Sequence, residues 1–111
     1  MGKYLIDNQN FSTIEKAKTH VRDILKSVGI CKSVKQKNTP VFNRLSKFLA
    51  RHNDAIRKGV TDVNGNNLIS DIEIRHNLKG DLEVCFTKED GFTTEDISWV
   101  RCINPKEKTH W

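Results

Sequence analysis

Two strand-like runs lie on either side of Asp90-Gly91. Leu82, Val84 and Phe86 alternate with polar residues, which is the period of a strand with one apolar face. An Asp-Gly pair favours a tight hairpin because glycine adopts a positive φ without strain. The return run carries three large apolar residues, which are Ile97, Trp99 and Ile103. We therefore expect a hairpin whose apolar face needs other elements to cover it.

A first amphipathic helix is predicted to begin at Ser12, because Ser12 with Glu15 three residues later has the spacing of a capping box. Gly29 is placed to end this helix. Apolar residues follow a helical period at Ile14, Ala17, Val21, Ile24, Leu25 and Val28. The opposite face carries the basic residues Lys16, Lys18, Arg22 and Lys26. The helix should bury one side and present a basic side to solvent.

A second helix is predicted to begin with Thr39 as its N-cap and Pro40 at its first position. Its apolar stripe consists of Val41, Phe42, Leu45, Phe48 and Leu49. Its outward residues include the basic side chains Arg44, Lys47 and Arg51. Residues 30–39, which contain Lys32, Lys35 and Lys37, have no apolar period and are predicted to form a basic, mobile connector.

A third strand is predicted over residues 68–75, with Ile72 and Ile74 on its apolar face. Turn signals lie before it, around Asn64-Gly65-Asn66, and after it, at residues 77–80. We predict an α+β fold in which two amphipathic helices pack on a three-stranded antiparallel β-meander. Residues 11–103 form one domain, residues 1–10 an N-terminal extension and residues 104–111 a loose C-terminal tail.

Charge is distributed unevenly along the chain. Residues 1–60 contain 13 Lys and Arg against 4 Asp and Glu, whereas residues 61–111 contain 6 against 10. Clustered cations release counterions when they meet phosphates, so this asymmetry favours a nucleic-acid surface, with RNA preferred. The predicted phosphate contacts are Lys16, Lys18, Arg22, Lys26, Lys32, Lys35, Lys37, Arg44, Lys47 and Arg51. Two alternatives remain open: the same charge keeps a solvated surface soluble, or it steers the chain towards an acidic protein partner.

Several classes of protein are disfavoured by what the sequence lacks. No apolar run approaches the roughly 18 residues of a membrane span, and the N-terminal residues do not resemble a signal peptide, so we expect a cytoplasmic location. Cys31, Cys85 and Cys102 are an odd number at long spacings, so we expect free thiols rather than a disulfide framework. No zinc-type or phosphate-loop spacing occurs, and we expect neither a metal nor a cofactor. The oligomeric state stays open.

Two hydrolytic hypotheses need specific geometry. The acidic residues Asp71 and Glu73, joined by Asp54 or Asp62, would make a metal-dependent nuclease if they met around one divalent cation. The repeated pairs at His52-Asn53 and His76-Asn77 are compatible with an HNH-type nuclease only if a helix follows the catalytic histidine. We expect His52 to lie at a helix end and no helix to follow His76, which disfavours the HNH hypothesis. Arg75 stands where the metal-dependent nucleases usually have Lys, so both hypotheses rank below binding.

Aromatic side chains bear on the binding hypothesis. Trp99 and Phe92 could stack on unpaired bases, as in single-strand binders. The alternative interpretation places them in the core or against the hairpin, and it is favoured for Trp99.

The chain also resembles a known family. The pattern Phe11…Ala17…Ile24-Leu25, then Leu49…His52…Ala55…Lys58-Gly59, then Cys85-Phe86…Asp90-Gly91…Ile97-Ser98-Trp99…Cys102-Ile103 is similar to the DCL (defective chloroplasts and leaves) domain. That family usually has Phe-Ser-Tyr where this chain has Ile97-Ser98-Trp99. The resemblance covers most of residues 11–103, is closest to freestanding bacterial or phage members, and implies RNA- or transcription-related binding without a known active site. The residues that carry the motif are His52, Lys58, Gly59, Asp90, Gly91, Ser98, Trp99 and Cys102.

Overall fold

A computed structural model describes residues 4–6 and 9–103 of the chain. The strands in chain order are β1 (Tyr4–Ile6), β2 (Gln9–Phe11), β3 (Asp71–His76), β4 (Leu82–Thr87) and β5 (Thr94–Ile97). The helices are α1 (Ile14–Val28), α2 (Val34–Lys37), α3 (Thr39–Leu49), α4 (Ala55–Lys58) and a final 3-10 helix (Trp99–Cys102). The predicted α+β class is confirmed, with more elements than two helices and three strands.

The main sheet is an antiparallel meander in the order β3-β4-β5. Ile72 pairs with Phe86, and Val84 pairs with Ile97, so the apolar residues of all three strands share one face. These side chains are almost fully buried and form the inner face of the sheet. The apolar face predicted for β3 and β4 is confirmed, but the opposite face of β4 is not exposed throughout, because Cys85 is buried there at 1% exposure.

Apolar stripes of α1 and α3 complete the same core. The stripe residues buried in α1 are Ala17, Val21, Leu25 and Val28. The apolar residues buried in α3 are Val41, Phe42, Leu45, Phe48 and Leu49, as predicted. All of them belong to one hydrophobic cluster with the inner face of the sheet. Burying one such side chain contributes about 1.5–3 kcal/mol, so this cluster is the main source of stability.

Both long helices begin with caps one residue away from those predicted. The cap of α1 is Thr13, whose hydroxyl accepts a hydrogen bond from the Lys16 N–H at 3.2 Å, so the prediction of Ser12 was wrong. The cap of α3 is Asn38, whose side-chain oxygen accepts from the Val41 N–H at 3.2 Å. Each predicted cap had a second capping residue beside it, and helix geometry selected that neighbour. Gly29 ends α1 with a φ of 82°, as predicted.

The segment between α1 and α3 is ordered, which corrects the prediction of a mobile connector. Cys31 exchanges two backbone hydrogen bonds of 2.9 Å with Ile74 on the outer edge of β3. Helix α2 then begins after Ser33, whose hydroxyl donates to Asp71 Oδ2 at 2.6 Å. Asp71 Oδ1 also accepts from the Lys35 N–H at 3.2 Å. A side chain from β3 thus fixes a helix that has no apolar period of its own.

The return run of the predicted hairpin is shorter than expected. Strand β5 ends at Ile97, and Trp99 begins the 3-10 helix, so Trp99 and Ile103 are not strand residues. Gly91 has the expected positive φ of 79°. The turn itself extends over residues 88–93, closed by a 2.7 Å hydrogen bond from the Lys88 N–H to the Thr93 carbonyl.

The N-terminal residues that the structure describes form a small hairpin. Strands β1 and β2 pair antiparallel, and Ile6 of the predicted extension is part of the core at 3% exposure. The predicted tail at residues 104–111 lies outside the described residues. Within the described residues, no helix has both the length and the apolar character that a membrane crossing requires.

Candidate nucleic-acid interface

The two outer surfaces of the fold carry opposite charge. Side chains on the outer face of the main sheet alternate with the buried ones, and they include Asp71, Glu73, Arg75, Glu83 and Asp96. The exposed sides of α1, α2 and α3, with the residues that join them, form what we call the helix layer. The helix layer carries all ten predicted phosphate contacts except Arg51, which follows α3 directly. The uneven charge of the sequence thus becomes a separation between two surfaces.

Half of the predicted phosphate contacts are unneutralised cations. No ion pair or side-chain hydrogen bond joins their ammonium groups to another described residue. All are exposed. These five unpaired lysines are Lys16, Lys26, Lys32, Lys37 and Lys47. An ammonium group without a carboxylate partner remains available to a phosphate.

Four cations on or beside the main sheet are ion-paired instead, and we call them the sheet-side cations: Arg57, Lys58, Arg75 and Lys88. The exposed Lys79 and Arg101 have no ion pair among the described residues. Glu95 receives both Lys88, at 3.0 Å, and Lys58, at 3.8 Å. The hydrogen bond from Lys88 lowers the pKa of Glu95. Arg75 lies 3.5 Å from Glu83 across the two paired strands. Among the described residues, most of the cations without an ion pair therefore lie on the helix layer.

Some predicted contacts have other partners in the fold. Lys18 lies 3.6 Å from Glu15 on the same helix, and the Lys35 ammonium lies 5.6 Å from the centre of the Phe42 ring. Arg51 donates to the backbone carbonyls of Leu5 and Ile103, so we place it in the structural framework rather than the interface. Arg44 is exposed on α3 but has an interaction with another group, so we do not count it among the unpaired cations.

A cavity of about 510 Å³ lies at one end of the helix layer, where α1 meets the β3–β4 turn and the 3-10 helix. Its lining includes Arg22, Lys26, His76, Asp81, Leu82 and Trp99. We call it the Arg22 cavity. The sequence pattern connected Arg22, Lys26 and Trp99 with binding, but it did not place His76 and Asp81 beside them. The second Arg-His-Asn sequence, directly before a turn, was the available signal.

The indole ring of Trp99 packs against the Arg22 guanidinium in this cavity. The Arg22 guanidinium carbon lies 5.7 Å from the centre of the indole ring, which is the geometry of a cation–π contact. Only 8% of Trp99 is exposed, so the packing interpretation of this residue is the one the structure supports. Phe92, by contrast, is 90% exposed on the turn after β4.

The residues of the family motif occupy several places rather than one cavity. Gly59 ends α4 with a φ of 82°, in the left-handed region. Asp90 accepts hydrogen bonds from the Thr93 hydroxyl at 2.6 Å and from two backbone N–H groups, and these bonds lower its pKa to about 2. Cys102 is fully buried, and burial raises the pKa of its thiol to about 12. These roles belong to turns and core, while Ser98 is exposed.

His52 lies in a second cavity, of about 480 Å³, together with Asn53 and Thr61. His52 is 4% exposed, and its Nδ1 accepts a 3.0 Å hydrogen bond from the Asp54 N–H. The position just after α3 agrees with the expectation of a helix-end histidine. His76 lies in the Arg22 cavity and is followed by a turn and β4, so the arrangement an HNH nuclease requires is not formed.

The carboxylates of the nuclease hypothesis are engaged elsewhere. Asp71 accepts from Ser33 and the start of α2, and Asp62 accepts from the Asn64 and Asn66 N–H groups at 2.8 and 2.9 Å. The bonds from Asn66 lower the pKa of Asp62. Within residues 4–6 and 9–103, no group of three His, Cys, Asp or Glu side chains is placed to hold a metal ion.

Comparison with known proteins gives a relationship of fold. No protein-family model matches the chain, and no curated protein is similar to it at a significant level. A solution NMR structure of an uncharacterized protein from Rhodospirillum rubrum is similar over 100% of this chain and 97% of its own, with a TM-score of 0.62 and 18% identity. The chain therefore shares its α+β fold with a solved bacterial protein.

Proposed function

We propose that this protein is a non-catalytic nucleic-acid-binding module, with RNA as the favoured ligand, and that the helix layer contacts phosphates. The single observation that carries the proposal is the contrast between the five unpaired lysines and the four ion-paired sheet-side cations. Each phosphate that such a lysine neutralises releases a condensed counterion, which is the main source of sequence-independent affinity.

Charge on the other face gives the interaction a direction. The acidic side chains Glu73, Glu83 and Asp96 lie on the outer face of the sheet. Phosphates are repelled from this face and attracted to the helix layer. An RNA strand would therefore bind the helix-layer side of the protein. The resemblance of this chain to the DCL domain also implies a nucleic-acid ligand. We further propose that the protein is located in the cytoplasm.

Two charge-matched variants test the proposal. The helix-layer variant replaces Lys32, Lys37 and Lys47 with Gln, and the sheet-side variant replaces Arg57, Arg75 and Lys88 with Gln. Each loses three positive charges, so their net charges are equal. At 0.1 M salt we expect about a fivefold loss of single-stranded RNA affinity for each phosphate contact removed, and little loss in the sheet-side variant.

The binding assay should compare single-stranded RNA, double-stranded RNA and duplex DNA, with magnesium present and the labelled strand checked for cuts. Equal losses in the two variants would refute a localised interface. If the protein does not bind nucleic acid at low salt but captures a stoichiometric protein from nuclease-treated lysate, the helix layer binds a protein partner instead. Cleavage of the labelled strand would contradict the non-catalytic part of the proposal.

A further inference from the structure

We propose that the Arg22 cavity binds one unstacked nucleotide of single-stranded RNA, with its base lying on the Arg22 guanidinium and its phosphate on Lys26. This inference rests on the proposed function and adds a specific site to it. The helix layer supplies general attraction to phosphates, whereas the cavity would receive a single residue of the strand.

The cavity contains charged side chains that form no ion pair with one another. Among the described residues, no ion pair or side-chain hydrogen bond involves the charged ends of Arg22, Lys26 or Asp81. Its volume of about 510 Å³ lies in the range of small-molecule sites, which is roughly 300–1,000 Å³. Unpaired charges that converge on a concave site of this size indicate a ligand that is itself both charged and polar.

The guanidinium of Arg22 is suited to contact a base. Guanidinium planes stack on unpaired bases, and Trp99 supports this group from one side at 5.7 Å. Because Trp99 is only 8% exposed, its own ring is covered and the outer surface of the stack belongs to Arg22. A cation already held by a ring loses less side-chain entropy when it binds, so the site is organised in advance.

Lys26 and Asp81 give the site an orientation. Lys26 is an exposed ammonium in the last turn of α1 and attracts the phosphate. An ionised carboxylate only accepts hydrogen bonds, so Asp81 selects a donor. The ribose 2′-hydroxyl is a donor that RNA has and DNA lacks. Asp81 therefore predicts a preference for ribonucleotides over deoxyribonucleotides.

The test uses the full chain with Trp111→Phe, which leaves Trp99 as the single indole. Adenosine 5′-monophosphate, its 2′-deoxy form, ribose 5-phosphate and inorganic phosphate are titrated while the indole N–H signal of Trp99 is followed by NMR. We expect adenosine monophosphate to move this signal with at least tenfold higher affinity than ribose 5-phosphate. Equal affinity for the two would overturn base stacking.

Variants separate the parts of the site. Arg22→Lys keeps the charge and loses the planar group, so it should lower adenosine monophosphate affinity at least tenfold and leave inorganic phosphate binding within twofold. Arg75→Lys on the sheet is the matched control and should change neither. Asp81→Asn should reduce the preference for the ribonucleotide over the deoxynucleotide at least threefold. An unchanged affinity in Arg22→Lys would refute the role of Arg22.

Failure of this inference is distinguishable from failure of the proposed function. If the helix-layer variant loses RNA affinity but nucleotides do not bind the cavity, the interface stands and the nucleotide site is refuted. If nucleotides bind the cavity but the helix-layer variant binds RNA as the parent does, the cavity site stands and the phosphate surface is refuted.

Discussion

Arg51 and Ile103 lie 52 residues apart in sequence, and the Arg51 guanidinium donates a 3.0 Å hydrogen bond to the Ile103 carbonyl. Its other terminal nitrogen donates to the Leu5 carbonyl at 2.7 Å. The guanidinium carbon also lies 5.7 Å from the centre of the Phe48 ring. One side chain thus connects α3 with β1 and with the end of the 3-10 helix.

Arg51→Lys tests this structural role. Lysine keeps the charge but cannot reach two carbonyls with a planar fork, so we expect unfolding to become easier by about 1–3 kcal/mol. Lys47→Gln, on the exposed side of α3, should change the free energy of unfolding by less than about 0.5 kcal/mol. Urea denaturation measures both. Arg51→Lys with parental stability would contradict the role assigned to Arg51.

Asp71 and Glu73 distinguish a structural carboxylate from a catalytic one. Asp71→Ala removes the acceptor of Ser33 and of the Lys35 N–H, so we expect a loss of about 1–2 kcal/mol of stability. Glu73→Ala, two residues along the same outer face, should cost less than about 0.5 kcal/mol. Neither change should alter the integrity of RNA incubated with magnesium. Loss of a cleavage activity in either variant would restore the nuclease hypothesis.

The turn after β4 should contribute to acid sensitivity. Bonds from Thr93 and Phe92 lower the pKa of Asp90 to about 2, below its unfolded value of about 3.9. Its ionised form therefore stabilises the fold above pH 4, and that contribution is lost as the pH falls from 4 to 2. Asp90→Asn should show a smaller drop in unfolding temperature over this interval than the parent. Parallel curves for the two proteins would refute this assignment.

The three free thiols should react at different rates. Burial raises the pKa of Cys85 to about 11 and that of Cys102 to about 12, whereas Cys31 is half-buried in the segment before α2. At pH 8 a thiol reagent should label one cysteine in the folded protein and three in denaturant. Cys31→Ser should abolish the native label, which mass spectrometry would detect. Rapid native labelling of two or more thiols would contradict the buried positions.

Features set by local period or backbone geometry were predictable from the sequence. The alternation of Leu82, Val84 and Phe86 records which side of the strand meets the core. The positive φ values at Gly29 and Gly91 follow from a helix end and from a hairpin turn. Burial and steric restriction act on neighbouring residues, so they leave a pattern in the sequence.

Features set by partners distant in sequence were not predictable in this way. Helix α2 depends on Asp71, which lies 38 residues from Ser33. The Arg22 cavity depends on Trp99 and His76 meeting α1. The basic surface could be expected from the residue types. Whether a given lysine or arginine forms an ion pair depends on where the fold brings the carboxylates.

Contact between phosphates and the unpaired lysines of the helix layer should be visible in the salt dependence of RNA affinity. For single-stranded RNA the slope of log affinity against log salt should be about −0.7 for each contact. The helix-layer variant should lose about 2 units of slope, while the sheet-side variant keeps the parental slope. A parental slope near zero, or an equal change in both variants, would show that the helix layer is not the phosphate-binding surface.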